Sequence, residues 1–124
     1  MFENTRAYSG FAVDDVQAAR AFYGETLGLR VSGDGDDLSL HLAGDRDTLV
    51  YPKPDFVPAT YTILNFPVED IESTVDELEE RGVHFERYDG FDQDERGILR
   101  MEGSPLIAWF KDPAGNILAG LEES

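Results

Sequence analysis

Two stretches of this sequence are copies of one pattern. VDDVQAARAFYGETLGLRV begins at Val13 and VEDIESTVDELEERGVHFE at Val68. An internal repeat of this kind constrains a fold more than any single motif, because each copy must form the same small unit. Val13 matches Val68, Asp15 matches Asp70, Val16 matches Ile71, and Tyr23 falls opposite Leu78. With one residue deleted, Gly28-Leu29 falls opposite Gly82-Val83. The chain therefore reads as two repeats, about 5–52 and 60–122, within one 124-residue domain. The connection over 52–59 carries three prolines and reads as a linker.

Each copy opens on an extended stretch, RAYSGFAV or TYTILNFPV, that runs into an acidic pair. Asp14 or Asp15 in the first copy, and Asp70 in the second, can accept the unpaired N–H groups of a helix's first turn. Val16, Ala19, Phe22, Tyr23 and Leu27 then recur at helical spacing, as do Ile71, Val75 and Leu78. Gly28 and Gly82 stand where a helix can close in a left-handed residue. Three extended segments follow in each copy: LRVSG, DLSLHLA and TLVYP, then VHFERYD, LIAWFKD and NILAGLE. The expected fold is α+β, two βαβββ modules whose helices cover one sheet face while the other curls into a half-barrel cleft. An apolar cleft with a few polar groups is the default place for a ligand.

Charge and composition narrow the partners. Acidic residues outnumber Lys and Arg by 26 to 10, a net charge of −16, so nucleic acids and anionic membrane surfaces are repelled. A neutral or cationic small molecule suits this field better. Without cysteine there is no disulfide, thiolate metal site or thiol nucleophile. The start, MFENTRAYSGF, has no basic segment followed by an apolar run, and no stretch reaches membrane-spanning length. A cytoplasmic location is expected.

The paired units, VDDVQAARAFYGETLGL near the start and WFKDPAGNILAG near the end resemble the vicinal oxygen chelate superfamily, the glyoxalase/bleomycin resistance protein/dioxygenase family. The resemblance spans about Arg6 to Glu122 and implies a glyoxalase-like fold and a homodimer. Many members hold a divalent ion with His, Glu or Gln from four strands. Carried over residue by residue, those places fall on Tyr8, about Val50, Ile63 and Ala119. Three aliphatic side chains and a neutral phenol cannot hold such an ion. The resemblance therefore implies a metal-free member without a cofactor.

Several polar and aromatic residues are candidates for the cleft wall. Leu38, Leu40 and Leu42 form one row of DLSLHLA, which leaves Ser39 and His41 on the other face. His41 is a ligand contact or an idle strand histidine, while His84 opens a strand at the surface. Trp109 can wall a pocket with its indole N–H as one donor, or simply pack in the core. Tyr8, Tyr51 and Tyr61 are amphipathic strand aromatics, and Asn65 shares a face with Tyr61 and Ile63. The stretch YDGFDQDERGILRMEG, 88–103, is long for a hairpin connection and reads as a lid. Its Arg96 and Arg100 can neutralise an acidic ligand or pair with nearby carboxylates, and Glu102 can serve as a base or lie solvated. No Ser-His-Asp arrangement or phosphate-cradling glycine loop is evident, and SGDGDD is a turn signal.

These readings favour a small-molecule binding protein whose metal-free cleft is lined by Tyr8, His41, Val50, Tyr61, Ile63, Asn65, Trp109 and Ala119, with antibiotic sequestration as one use. The alternative is a lyase, isomerase or dioxygenase acting on a small oxygenated substrate through an unorthodox metal site or acid–base chemistry at His41 and Glu102. A third option is a pocketless dimeric interaction module. Catalytic residues stay unassigned.

Overall fold

A computed structural model describes residues 1–33 and 35–123; the expected turn at SGDGDD includes Asp34, which lies outside them. The chain divides into two units, Met1–Val57 and the remainder from Pro58, so the division falls inside the proline-rich stretch.

In the first unit, β1 (Ser9–Val13), α1 (Val16–Ala21), β2 (Arg30–Ser32), β3 (Leu38–Leu42) and β4 (Arg46–Pro52) give a four-stranded sheet in the order β1-β4-β3-β2. β1 runs parallel to β4, and the remaining pairs are antiparallel. Of the two capping candidates it is Asp15 that accepts, from Gln17 N–H at 3.0 Å and Ala18 N–H at 3.1 Å. After Ala21 the helix widens into a π turn over Phe22–Thr26, where the Leu27 N–H reaches the Phe22 carbonyl at 2.9 Å. Gly28 then closes it at φ +74°. Register places Phe11, Val50 and Leu38 side by side across three strands. Phe11 packs on the buried Tyr23 of the π turn with ring centroids 5.7 Å apart. This is the helix-covered face, and Val13, Leu38, Leu40 and Val50 on it are sealed from solvent.

The second unit contains β5 (Thr62–Pro67), α2 (Ile71–Glu80), β6 (Leu106–Lys111) and β7 (Ile117–Glu122), with sheet order β5-β7-β6. Asp70 repeats the role of Asp15, accepting from Glu72 N–H at 3.1 Å and Ser73 N–H at 3.5 Å. Glu122 at the end of β7 accepts the Ile71 N–H at 2.8 Å, so three donors of the first helical turn are satisfied. A side chain at Gly120 would touch Ile71 Cδ1 at 3.4 Å, which identifies the helix-covered face of this sheet. Ile71, Val75, Ile98 and Ala108 form its core, with Val68, Phe85 and Leu106 packed around them. Among the described residues no helix is long and apolar enough to cross a membrane.

Two expectations for this unit change. VHFERYD is not a continuous strand: it meets β6 through one bridge, Phe85 to Phe110, and one bond from Glu86 N–H to the Trp109 carbonyl at 2.8 Å. The Gln93 side chain intervenes. Its amide nitrogen donates to the carbonyls of Glu86 at 3.0 Å and Gly97 at 2.7 Å, while its oxygen accepts the Tyr88 N–H at 2.8 Å. Those are backbone groups that a ladder would otherwise use. The freed edge of β6 is taken up instead by Leu99, whose N–H bonds to the Ile107 carbonyl at 2.7 Å.

For the same reason 88–103 is not a loose lid. Ile98 is fully buried and Leu99 nearly so. Arg96 pairs with Asp76 and, at 3.1 Å, with Glu79; Arg100 pairs with Asp94 at 2.8 Å and Glu72 at 3.3 Å. Both cations are thus spent on the loop's own Asp94 and on α2. Burial alone would raise the Asp94 carboxyl, but Arg100 and the N–H groups of Ile98 and Arg96 outweigh it and hold the group below its usual 3.8. A depressed carboxylate stabilises the fold above its unfolded value and loses that contribution as pH falls through the lower folded one. Acid unfolding followed by circular dichroism should therefore steepen below about pH 4, and Asp94→Asn should flatten that limb while lowering stability at neutral pH.

Candidate functional site

Register sets a row of three residues across the helix-free face of the second sheet. Asn65 on β5 stands opposite Ala119 on β7, and Ala119 stands opposite Trp109 on β6. Ala119 is 1% exposed, so this part of the row is sheltered from water. The Trp109 ring stacks on Phe91 at 5.3 Å with 30° between planes, and meets the edge of Tyr88 at 5.6 Å. Tyr88 and Phe91 complete the cluster at 6.1 Å. Phe91 keeps 48% of its surface in solvent. The Tyr88 hydroxyl is buried without a hydrogen-bond partner among the described residues. Burial, helped by the charge of Glu86, raises its pKa, so the phenol stays a neutral donor. An unpaired buried hydroxyl costs free energy and is a position where a bound polar atom would be welcome. Tyr88 and Phe91 were missed in the sequence because they lie in the segment read as a lid.

Other candidates fall elsewhere. Ile63 is the extra residue of a bulge between Thr62 and Leu64, and Tyr61 beside it is 70% exposed. Tyr8, just before β1, is equally exposed. Val50 is not on an open face: it lies under α1 in the core of the first unit, and Leu49 and Tyr51 take the opposite side of β4. Glu102 is exposed and belongs to the second unit, whereas His41 belongs to the first. The donor set at Tyr8, Val50, Ile63 and Ala119 does not fit a divalent ion, because one is a core side chain and two more are aliphatic. Among the described residues no three His, Asp or Glu side chains gather as a metal site.

His41 does stand on the helix-free face of the first sheet, as the alternation of DLSLHLA predicts. It is also part of an arrangement the sequence reading denied. Its Nδ1 lies 2.9 Å from Asp47 Oδ1 and its Nε2 lies 2.7 Å from Ser32 Oγ. The three residues come from three neighbouring strands, so nothing in the linear spacing announces them.

The turn DPAGN between β6 and β7 is structural. Asp112, 4% exposed, accepts the N–H groups of Ala114 at 3.0 Å and Asn116 at 2.9 Å, and the Asn116 amide donates to its other oxygen at 3.2 Å. Asn116 Oδ1 in turn accepts the Ala59 N–H at 3.1 Å, anchoring the end of the linker. Gly115 adopts φ +97°, where a side chain would be strained and would press on Pro58.

Residues 7–119 match the family model of the Glyoxalase/Bleomycin resistance protein/Dioxygenase superfamily. No curated protein matches the sequence significantly. Among solved structures, the chain is similar to an antibiotic binding protein from Streptomyces sp. CB03234, with 22% identity, TM-score 0.71 and 98% of each chain covered. It is similar to a glyoxalase family protein from Enterococcus faecalis, with 24% identity, TM-score 0.68, and 98% of this chain and 100% of that one covered. A fosfomycin resistance protein from Mesorhizobium loti shares 12% identity at TM-score 0.68, covering 100% and 95%. At these identities the likeness shows the fold alone.

Proposed function

The chain belongs to the Glyoxalase/Bleomycin resistance protein/Dioxygenase superfamily, and from that premise we propose that it binds a small organic molecule on the helix-free face of its second sheet, without a metal ion. Fold does not settle which reaction, if any, a member performs, so the reading rests on the site. The observation that carries it is the Tyr88–Phe91–Trp109 cluster with a buried, unpaired hydroxyl, on the face where Trp109 stands opposite the sheltered Ala119. A flat or apolar part of the ligand stacks on Phe91 and Trp109, while a polar atom accepts a hydrogen bond from the Tyr88 hydroxyl. Aromatic faces and a net charge of −16 favour a neutral or cationic guest over an anion. Sequestration of a basic antibiotic is the specific use we favour, since one solved structure of the same fold is described as an antibiotic binding protein.

Bleomycin, a basic probe, and fosfomycin, a small anionic one, separate the possibilities. Bleomycin should quench the single tryptophan and give a saturable calorimetric signal, while fosfomycin should give neither. Trp109→Ala should weaken bleomycin binding by about 100-fold, the scale of an aromatic anchor, and Tyr88→Phe by roughly 10-fold, the scale of one hydrogen bond. Calorimetric affinity unchanged by both substitutions would exclude this face as the site.

A further inference from the structure

We propose that Ser32, His41 and Asp47 form a relay that makes Ser32 an acyl acceptor for activated carboxylic esters, an activity independent of the aromatic cluster in the second unit. The geometry begins in the register. Asp47 on β4 stands directly opposite His41 on β3, and Ser32 on β2 pairs with Ser39, one diagonal step from His41. Residues two apart on one strand share a face, so all three side chains project from the helix-free side. Three hydrogen-bonded strands hold them in place.

Chemistry fixes the direction of the two hydrogen bonds. An ionised carboxylate only accepts, so the His41 proton that faces Asp47 at 2.9 Å sits on Nδ1. Nε2 then presents its lone pair to Ser32 Oγ at 2.7 Å, and the hydroxyl donates to it. This is the order required of a nucleophile, a base and the group that orients the base. Attack of Oγ on an ester carbonyl carbon forms the acyl–oxygen bond, and the serine proton passes to Nε2. Collapse breaks the bond to the leaving oxygen, which departs with that proton as an alcohol or phenol. Water then attacks the acyl group, again giving its proton to Nε2. A carboxylic acid leaves and the Ser32 hydroxyl is restored.

Exposure decides the substrate class. The Ser32 residue is exposed, and the side chains of His41 and Asp47 are 27% and 54% exposed. An ester can reach Oγ, but water screens the charge that develops on the carbonyl oxygen. Positioning and general-base assistance carry the rate, which suits esters with good leaving groups and not amides.

The full-length protein with p-nitrophenyl acetate tests this, by release of p-nitrophenolate and by mapping the acetyl group on peptides. One acetyl group should appear on Ser32. Ser32→Ala and His41→Ala should each slow release at least about 100-fold, the usual scale of an activated nucleophile and its base. Asp47→Asn should reduce acetylation of Ser32 while leaving the melting temperature in place. Acetyl groups confined to Lys53, Lys111 or the amino terminus would overturn the proposal, as would release unchanged in Ser32→Ala. So would an Asp47→Asn protein that melts earlier yet acetylates Ser32 as before, because that result assigns the relay to holding strands together.

Discussion

Replacing Phe110 by Ala is expected to lower stability by about 4 kcal/mol, the scale for losing a buried aromatic ring. Phe110 is 2% exposed, faces Leu118 across β6 and β7, and meets the edge of Phe85 at 5.8 Å. Phe85 and Glu86 touch β6 through one bridge and one backbone bond. No ladder backs them up, so the cavity left by the ring cannot be closed by strand pairing. The loss should therefore exceed that of an equivalent truncation in the first sheet, where every strand is paired along its length. Urea unfolding followed by far-ultraviolet circular dichroism measures it. A loss below about 2 kcal/mol, outside the range for a buried Phe, would mean that the 85–99 segment collapses onto the vacancy.

Asp112→Ala should cost about 3 kcal/mol, because it strands donors in a turn that excludes water. The Ala114 and Asn116 N–H groups and the Asn116 amide all lose their acceptor. Once Asn116 is no longer steered, its bond to the Ala59 N–H weakens as well. Asp112→Asn keeps an oxygen for the two backbone donors and should lose less. The melting temperatures of the two variants, compared at one pH, test that ranking. Equal losses would show that the charge, and not the acceptor geometry, holds the turn.

What could be read from the sequence was local. Asp15, Asp70, Gly28 and Gly82 act within one helical turn of themselves, and all four stand as the repeat predicts. The phase of LIAWFKD and NILAGLE was legible too, because Trp109 and Ala119 sit in strands whose opposite rows, Ala108 with Phe110 and Leu118 with Gly120, face α2. TLVYP was not legible. Both of its rows carry apolar residues, and the row under the helix includes Thr48, whose hydroxyl is satisfied by Ser9 at 2.7 Å. With no polar row to mark the outside, the alternation does not tell that Val50 faces the helix.

The remaining surprises depend on side chains reaching across strands. Gln93 interrupts the strand expected over VHFERYD with one amide, a competition that propensity does not register. The Ser32–His41–Asp47 relay needed the register of two strand pairs. Half of it could have been inferred. Gly44 and Asp45 both adopt positive φ, and a three-residue loop from Ala43 to Asp45 places His41 opposite Asp47. Ser32 could not have been placed that way, because SGDGDD signals a turn between β2 and β3 without fixing the register of one strand on the other.

The pairing of Arg96 and Arg100 with α2 has a consequence for how this chain tolerates change. Glu72, Asp76 and Glu80 follow one another at four-residue intervals, where like charges repel. The two guanidiniums are tethered counterions for that stripe, delivered by the chain instead of by dissolved salt. Trimming 88–103 to a short connector would strip them away, and the helix would then lean on the ionic strength of its surroundings to stay wound.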